Sequence, residues 1–193
     1  ELPPAPNKTM STNEDTSGEN AAPSAAPHRN RGQRLISAIE RRDHAAVRDG
    51  DLLAAISTTV DTRPATSGWT PIMMAVVAGD PEIVSTLLEA GGDAGEALLI
   101  ASALERTEIA LQLIGSGGNI GAVDEAGRNA LSFAAQAGDV VLIRRLLEAG
   151  LDVNGRETCT GMTPLSRAAL AGRDAAAVAL IEAGASVTST DSQ

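Results

Sequence analysis

The chain has 193 residues and a formal net charge of −10, and its hydrophobic residues (43%) include one Phe, one Trp and no Tyr. Nucleic acid and anionic membrane are poor partners for so acidic a chain, because phosphate binding requires clustered Lys and Arg. The single cysteine, Cys159, excludes an internal disulfide and a cysteine-based metal cluster, and no run of 18 apolar residues predicts a membrane-spanning helix.

The first 32 residues have the composition of a disordered tail. Prolines are mixed with Ser, Thr, Asn and Ala, and the apolar residues show no period. The sequence starts at Glu1 rather than Met, which either a removed targeting segment or a trimmed start explains. A flexible stretch before a folded domain is typical of a mature exported protein. We therefore expect an exported, periplasmic location slightly more than a cytoplasmic one.

Residues 33–66 contain the first predicted helix pair. Leu35 and Ala38 are three apart, as on the buried face of a helix, and Val47 marks the second helix. The segment 40–43 between them is Glu-Arg-Arg-Asp, which is polar, as the solvent-facing end of a repeat array requires. This unit is predicted to cap the N-terminal end of the folded part.

Residues 67–95 form the clearest unit. Thr70 is predicted to cap a helix that starts with Pro71, where no backbone donor is lost. Gly79 suits the left-handed turn that ends this helix. A second helix with an apolar i, i+3, i+4 stripe follows. The stripe consists of Ile83, Val84, Leu87 and Leu88.

Residues 96–123 form a shortened unit. Its first helix starts 26 positions after the previous one, and the lost residues fall between Ala94 and Glu96. A connecting loop is therefore predicted to be missing or reduced at this point. Glu105 stands where the turn glycine is expected, and a left-handed residue other than glycine costs on the order of 1 kcal/mol. We expect this turn to be reshaped.

Residues 124–156 and 157–193 repeat the pattern twice more. Asn129 and Thr163 stand at the cap position, 34 residues apart. A fixed period in this range indicates a solenoid, whose working part is a surface. The last helix, residues 174–183, is rich in Ala where a terminal unit is expected to be polar. Docking onto a partner, docking onto another copy and a frayed end are the alternatives for it.

The five units resemble ankyrin repeats. The likeness rests on Gly-x-Thr-Pro-Leu, then Ala and Gly, an aliphatic second helix, and Gly-Ala-Asp-Val-Asn, best matched in 68–93, 124–154 and 161–187. It implies an all-α solenoid of helix pairs with short β-hairpin fingers. The histidine that the family usually carries after Thr-Pro-Leu is replaced by Met73, Leu99, Ser132 and Ser166. Serine can replace some of the inter-repeat hydrogen bonds of that histidine, whereas methionine and leucine cannot.

The sequence contains no recognisable catalytic or metal-binding constellation. His28 lies in the predicted tail and His44 in the polar first unit, and both are expected to be solvated. The glycine-rich segment 115–118 follows a helix end rather than a strand, which is the wrong context for a phosphate-binding loop. No base that would activate a thiol stands beside Cys159. We therefore expect a protein that is not an enzyme and that uses no cofactor or metal.

The resemblance also indicates where a partner would bind. In ankyrin arrays the recognition surface usually combines finger tips with the exposed side of each first helix. The predicted partner-binding residues are therefore Trp69, Val77, Leu104, Glu125, Arg128, Gln136, Met162 and Leu170. Trp and Arg are enriched among interface anchors, although Trp69 has the alternative of packing against the next finger. A specific target is expected to bind beside the missing finger.

The sequence as a whole predicts a protein-binding module. A basic partner would gain in association rate from the negative field, and a monomer is the expected state. The Arg-dominated basic residues and abundant Ala and Gly are typical of a GC-rich bacterial genome. The most specific role is inhibition or neutralisation of a secreted effector or hydrolase by occlusion, as in immunity and self-protection proteins. A scaffold or chaperone for another enzyme, and a detached regulatory domain of a larger enzyme, are the alternatives.

Overall fold

The computed structural model describes residues 26–50 and 70–188, and the regular structure of these residues is helical. Ten helices lie in the described ranges, two to each predicted unit. They are α1 (Ala26–Glu40), α2 (His44–Val47), α3 (Pro71–Ala78), α4 (Pro81–Glu89), α5 (Ala97–Ala103), α6 (Thr107–Gly115), α7 (Ala130–Ala137), α8 (Val140–Glu148), α9 (Pro164–Leu170) and α10 (Asp174–Glu182). None of the helices in these ranges is long and apolar enough to cross a membrane.

The helices stack in two rows. The first helices of successive units contact one another in chain order, from α1 to α9, and the second helices do the same from α2 to α10. Aliphatic and alanine side chains fill the space between the rows and form one continuous cluster. One position of the first helix is a fully buried alanine in all five units, where a small side chain lets the neighbouring helix approach closely. These alanines are Ala38, Ala75, Ala101, Ala134 and Ala168. The all-α solenoid is confirmed.

Local signals start and end the helices as predicted. The side chains of Thr70, Asn129 and Thr163 each accept a hydrogen bond from the backbone N–H three residues later, which caps α3, α7 and α9. Proline occupies the first turn of α3 and α9. The turns between paired helices use left-handed glycines, Gly79, Gly138 and Gly172, with φ of 69°, 85° and 64°.

The third unit keeps its turn geometry without glycine. Glu105 adopts a φ of 57°, so the expectation of a reshaped turn is wrong. Its backbone N–H donates to the carbonyl of Ser102, and that of Arg106 donates to Ala101, which closes the turn. The connection that leads into this unit is short. Helix α4 ends at Glu89 and α5 begins at Ala97, so residues 90–96 alone join the two helices.

Two further expectations change. Helix α1 begins at Ala26, within the predicted disordered tail of residues 1–32, and the buried Leu35 and Ala38 anchor its C-terminal half to the rest of the array. The only β pairing in the described ranges is an isolated antiparallel bridge between Val123 and Asn129, so the fingers described are tight turns rather than paired strands. The predicted tail up to residue 25 lies outside the described residues.

Candidate protein-binding surface

The C-terminal ends of the first helices carry a row of exposed aliphatic side chains. Val77 on α3 is 45% exposed, Leu104 at the end of α5 is 44% exposed and Leu170 on α9 is 75% exposed. Gln136 takes the corresponding place on α7 and is also exposed. Because the first helices stack in order, these side chains follow one another along one edge of the solenoid. We name Val77, Leu104, Gln136 and Leu170 the helix-end strip.

Arg128, the predicted anchor in the fourth unit, is engaged within its own finger. Its guanidinium lies 2.7 Å from the carboxylate of Asp124 and 4.6 Å from the centre of the Phe133 ring. Partial burial raises the pKa of the Asp124 carboxyl, but hydrogen bonds from Arg128 and the charge of that residue hold it below its ordinary value. Arg128 therefore stabilises the finger with several of its donors.

The next finger contains a buried ion pair. The carboxylate of Glu157, whose side chain is fully buried, accepts hydrogen bonds from Arg167 at 2.7 and 2.5 Å and from the hydroxyl of Thr160 at 2.6 Å. Burial raises the pKa of Glu157, but these hydrogen bonds and the charges of Arg167 and Arg128 hold it below its ordinary value. Hydrogen bonding to Glu157 in turn raises the pKa of Arg167, against the effect of its partial burial.

The two fingers pack directly against each other. A Cβ on Gly127 would lie 2.1 Å from the hydroxyl of Thr158, and the backbone N–H of Cys159 donates to the carbonyl of Ala126 at 3.2 Å. Cys159 itself is exposed. Met162 is half-buried and its carbonyl accepts a hydrogen bond from Glu157. The finger surface is thus occupied in part by its own packing.

The predicted finger residues therefore fare differently from the helix-end residues. Glu125 is exposed, whereas Arg128 and Met162 are partly used in the fingers. Trp69 lies outside the described residues. The roles of all eight residues in partner binding stay predictions, and among those that the structure describes Val77, Leu104 and Leu170 are the exposed apolar ones.

The turns between paired helices are cross-linked from unit to unit. Asp80 caps α4 and also lies 3.0 Å from Nε2 of His44 in the preceding unit. Asp139 caps α8 and accepts a hydrogen bond from the hydroxyl of Thr107, again in the preceding unit, at 2.5 Å. The expectation that His44 is solvated holds only in part: its side chain is 37% exposed, but its Nδ1 also lies 3.0 Å from Glu82. These contacts link neighbouring units where the family histidine is absent.

Met73 also accepts a hydrogen bond, which was not expected of a methionine. The sulfur of Met73 accepts the backbone N–H of Thr70 at 3.5 Å, within the same cap. Ser166 contacts Thr163 in the same way, with 3.2 Å between the two hydroxyl oxygens. The family position after Thr-Pro-Leu thus supports the cap in both units, while the links between units come from the turns.

Three arginines lie across neighbouring turns. Arg42 donates a short hydrogen bond to the carbonyl of Ala78. The guanidinium of Arg106 lies against Gly79, where a Cβ would come within 2.9 Å of its Cζ. Arg173 donates to the carbonyl of Gln136 at 3.2 Å. We name Arg42, Arg106 and Arg173 the turn arginines.

Alignment of the units on their left-handed turn residue would have indicated these contacts. The residue after each turn is Asp or Arg, in the order Asp43, Asp80, Arg106, Asp139 and Arg173. An alignment on the Thr-Pro-Leu motif alone does not reveal this series. Residues 26–50 and 70–188 contain no group of three or more His, Cys, Asp or Glu placed to hold a metal ion.

Comparison with protein families matches the observed architecture. A family model of ankyrin repeats in three copies matches residues 98–191, and the model of a single ankyrin repeat matches residues 67–97. No protein with a curated description matches the chain significantly. Ankyrin repeats form modules for protein–protein interaction, which agrees with an exposed strip on a stacked scaffold. The chain belongs to the ankyrin-repeat family.

Proposed function

We propose that the chain binds a partner protein on the helix-end strip and inhibits it by covering its surface. The observation that carries the proposal is the exposure of Val77, Leu104 and Leu170 at the ends of first helices in the second, third and fifth units of one stack. Exposed aliphatic side chains in one row mark a surface where a partner removes apolar area from water. The finger residues Glu125, Arg128 and Met162 would add polar contacts at the edge of this interface.

The strip supports binding by burial of apolar area. Full burial of an exposed Leu or Val side chain contributes about 1.5–3 kcal/mol. Val77 and Leu104 are already more than half-buried and would contribute about half of that range, so the three side chains together are enough for a hot spot in an otherwise polar interface. A rigid scaffold adds to this, because little conformational entropy is lost when it binds. Occlusion needs no chemistry from the chain itself, which suits a role as an inhibitor of an enzyme or effector.

The test is affinity capture with charge placed on the strip. Immobilised wild-type chain, Leu170→Glu and Val77→Glu are incubated with lysate of the source organism, and bound proteins are identified by mass spectrometry. Val141→Glu is the matched control, because Val141 is 61% exposed on the second helix α8. The wild type and the control should retain a partner that both strip variants lose, and the purified partner should lose its activity as the chain saturates it.

Retention of the same partner by both strip variants would show that the interface lies elsewhere. A captured enzyme whose activity rises on binding would favour the scaffold or regulatory role over inhibition. Trp69→Ala and Arg128→Ala, tested in parallel, measure the contribution of the predicted finger positions.

A further inference from the structure

Two turn arginines converge on a single turn. Arg42 from the first unit donates to the carbonyl of Ala78, and the guanidinium of Arg106 from the third unit lies against Gly79. The absence of a side chain at Gly79 makes room for Arg106, since a Cβ would approach its Cζ to 2.9 Å. Two positive charges from different units therefore flank the turn that follows Val77.

The third turn arginine repeats this arrangement two units further on. Arg173 donates through Nε to the carbonyl of Gln136, and its aliphatic carbons cover Gly138, where a Cβ would lie 3.0 Å from Cδ. Gln136 belongs to the helix-end strip, and Leu170 precedes Arg173 in the chain. Cationic and apolar groups thus alternate along the same edge.

The turn arginines retain hydrogen-bonding capacity. A guanidinium carries five N–H donors, and all three side chains belong to exposed residues. Within the described ranges, the side chains of Arg42 and Arg173 each donate once to a backbone carbonyl, and the guanidinium of Arg106 forms no ion pair or hydrogen bond. The nearby acids Asp80 and Asp139 are already engaged as caps and by the preceding unit.

We propose that this edge binds an extended acidic segment of a partner protein. One carboxylate of the segment lies between Arg42 and Arg106, a second lies on Arg173, and apolar side chains between them contact Val77 and Leu104. The inference rests on the proposed function and specifies the chemistry of its partner. A planar guanidinium with free N–H groups recognises carboxylate in bidentate geometry.

The geometry fixes the spacing of the two carboxylates. Stacked helices lie about 8–10 Å apart, so turns two units apart are separated by about 16–20 Å. An extended chain rises about 3.3 Å per residue, which places the two acids about five or six residues apart. The net charge of −10 acts against such a segment only weakly, because exposed charges beyond about 8 Å are screened at physiological salt.

Exposed acids beside the turn arginines weaken the attraction between these arginines and an acidic segment. Glu105 and Asp174 are each exposed next to a turn arginine, and they compete with an incoming carboxylate. Their removal should therefore strengthen binding of the acidic segment. Glu105→Gln should therefore bind the acidic segment more tightly than wild type does. The same variant should not gain affinity for a basic or purely apolar partner.

Selection from a random dodecapeptide display library tests the proposal. Panning on the whole chain should enrich sequences with two Asp or Glu five or six residues apart and Leu, Ile or Val between them. A fluorescein-labelled peptide from this pool should bind Arg106→Gln and Arg173→Gln about 3- to 10-fold more weakly than wild type. Arg144→Gln, an exposed arginine on α8 that lies 3.8 Å from Glu182, should bind as wild type does.

Enrichment of basic peptides, of apolar peptides without acid pairs, or of no sequence at all would overturn the inference. Arg106→Gln is the most direct variant, because it removes no hydrogen bond in the described ranges, and thermal unfolding of each variant checks that the fold is intact. Binding of the natural partner to these variants distinguishes the proposed function from the acidic-segment inference. If Leu170→Glu abolishes its binding and the arginine variants do not change it, the proposed function stands and the acidic segment is wrong.

Discussion

Glu157 and Arg167 form a buried ion pair that fixes the last finger to α9. The two side chains meet through two hydrogen bonds, and Thr160 adds a third to the same carboxylate. A buried pair of this kind is costly to break, because the remaining charge stays partly desolvated without its partner. The pair is therefore a residue-scale determinant of whether the finger keeps its conformation.

Glu157→Gln should lower the free energy of unfolding by about 2–4 kcal/mol, because it leaves the half-buried Arg167 without a countercharge. Urea unfolding followed by circular dichroism measures this. Glu148→Gln is the control, since Glu148 forms an exposed pair with Arg145 at 3.3 Å and should change stability by less than about 0.5 kcal/mol. Equal effects of the two variants would contradict a special role of the buried pair.

The same carboxylate should make stability depend on pH. The pKa of Glu157 is lower in the folded chain than its ordinary value of 4.5, so in acid the unfolded chain binds a proton that the folded chain does not. The contribution of Glu157 is thus present above about pH 5 and is lost as pH falls through the folded pKa. Urea midpoints between pH 3 and pH 7 should fall less steeply in Glu157→Gln than in wild type. Identical slopes would show that Glu157 is not the group responsible.

Glu105 offers the opposite kind of change. Its φ of 57° is a conformation that glycine adopts without steric cost. Glu105→Gly should therefore raise the free energy of unfolding by about 0.5–1 kcal/mol. Glu108→Gly, within helix α6, should lower it by about 1 kcal/mol. In thermal melts, the midpoint of Glu105→Gly should rise and that of Glu108→Gly should fall relative to wild type. A loss of stability in both variants would contradict the strain at Glu105.

At the scale of elements, the close approach of the two fingers limits what their sequence can tolerate. Gly127→Ala would place a methyl group 2.1 Å from the hydroxyl of Thr158 and 2.4 Å from its backbone nitrogen. We expect a loss of about 2–3 kcal/mol in the free energy of unfolding. Gly117→Ala has a similar φ, 81° against 78°, and nothing within 4 Å of the new methyl group, so it should lose only about 1 kcal/mol. Equal losses would show that the fingers separate in solution.

The elements that the sequence predicted well are those set by local signals. Caps such as Thr70 and turns such as Gly79 depend on residues three to nine positions apart, and their chemistry is specific to one conformation. The links between turns join residues 36 apart for His44 and Asp80 and 32 apart for Thr107 and Asp139. Such contacts depend on how units align in space, which a pattern within one unit does not determine.

On the candidate surface, too, the sequence predicted what depends on local position and missed what depends on contacts in space. The exposure of Val77 and Leu170 follows from their place at the helix end, so the pattern located them correctly on the surface. The engagement of Arg128 with Asp124 and Phe133 could not be inferred from an enrichment of arginine at interfaces. The turn arginines were missed because no motif of the repeat includes them.

At the scale of the whole molecule, the array is a series of units in which each contacts only its neighbours. Stability in such arrays is close to a sum of unit and interface contributions. The interface between the first two units includes the contacts of His44 with Asp80 and Glu82, both at 3.0 Å, and the hydrogen bond from Arg42 to Ala78. Loss of one of these contacts should therefore act on the first unit and leave distant units unchanged.

His44→Ala removes the contacts of His44 with Asp80 and Glu82, so the backbone amides of α1 and α2 should exchange with deuterium faster than in wild type. The amides of α9 and α10, four units further along, should exchange at the wild-type rate, because nearest-neighbour coupling does not extend to them. Hydrogen exchange read by mass spectrometry measures both ends in one experiment. Arg144→Ala is the control, since its exposed pair with Glu182 lies at the other end of the array. A uniform increase along the chain would indicate that the array unfolds as a single cooperative unit, and no increase in residues 26–50 would show that apolar packing alone holds the first unit in place.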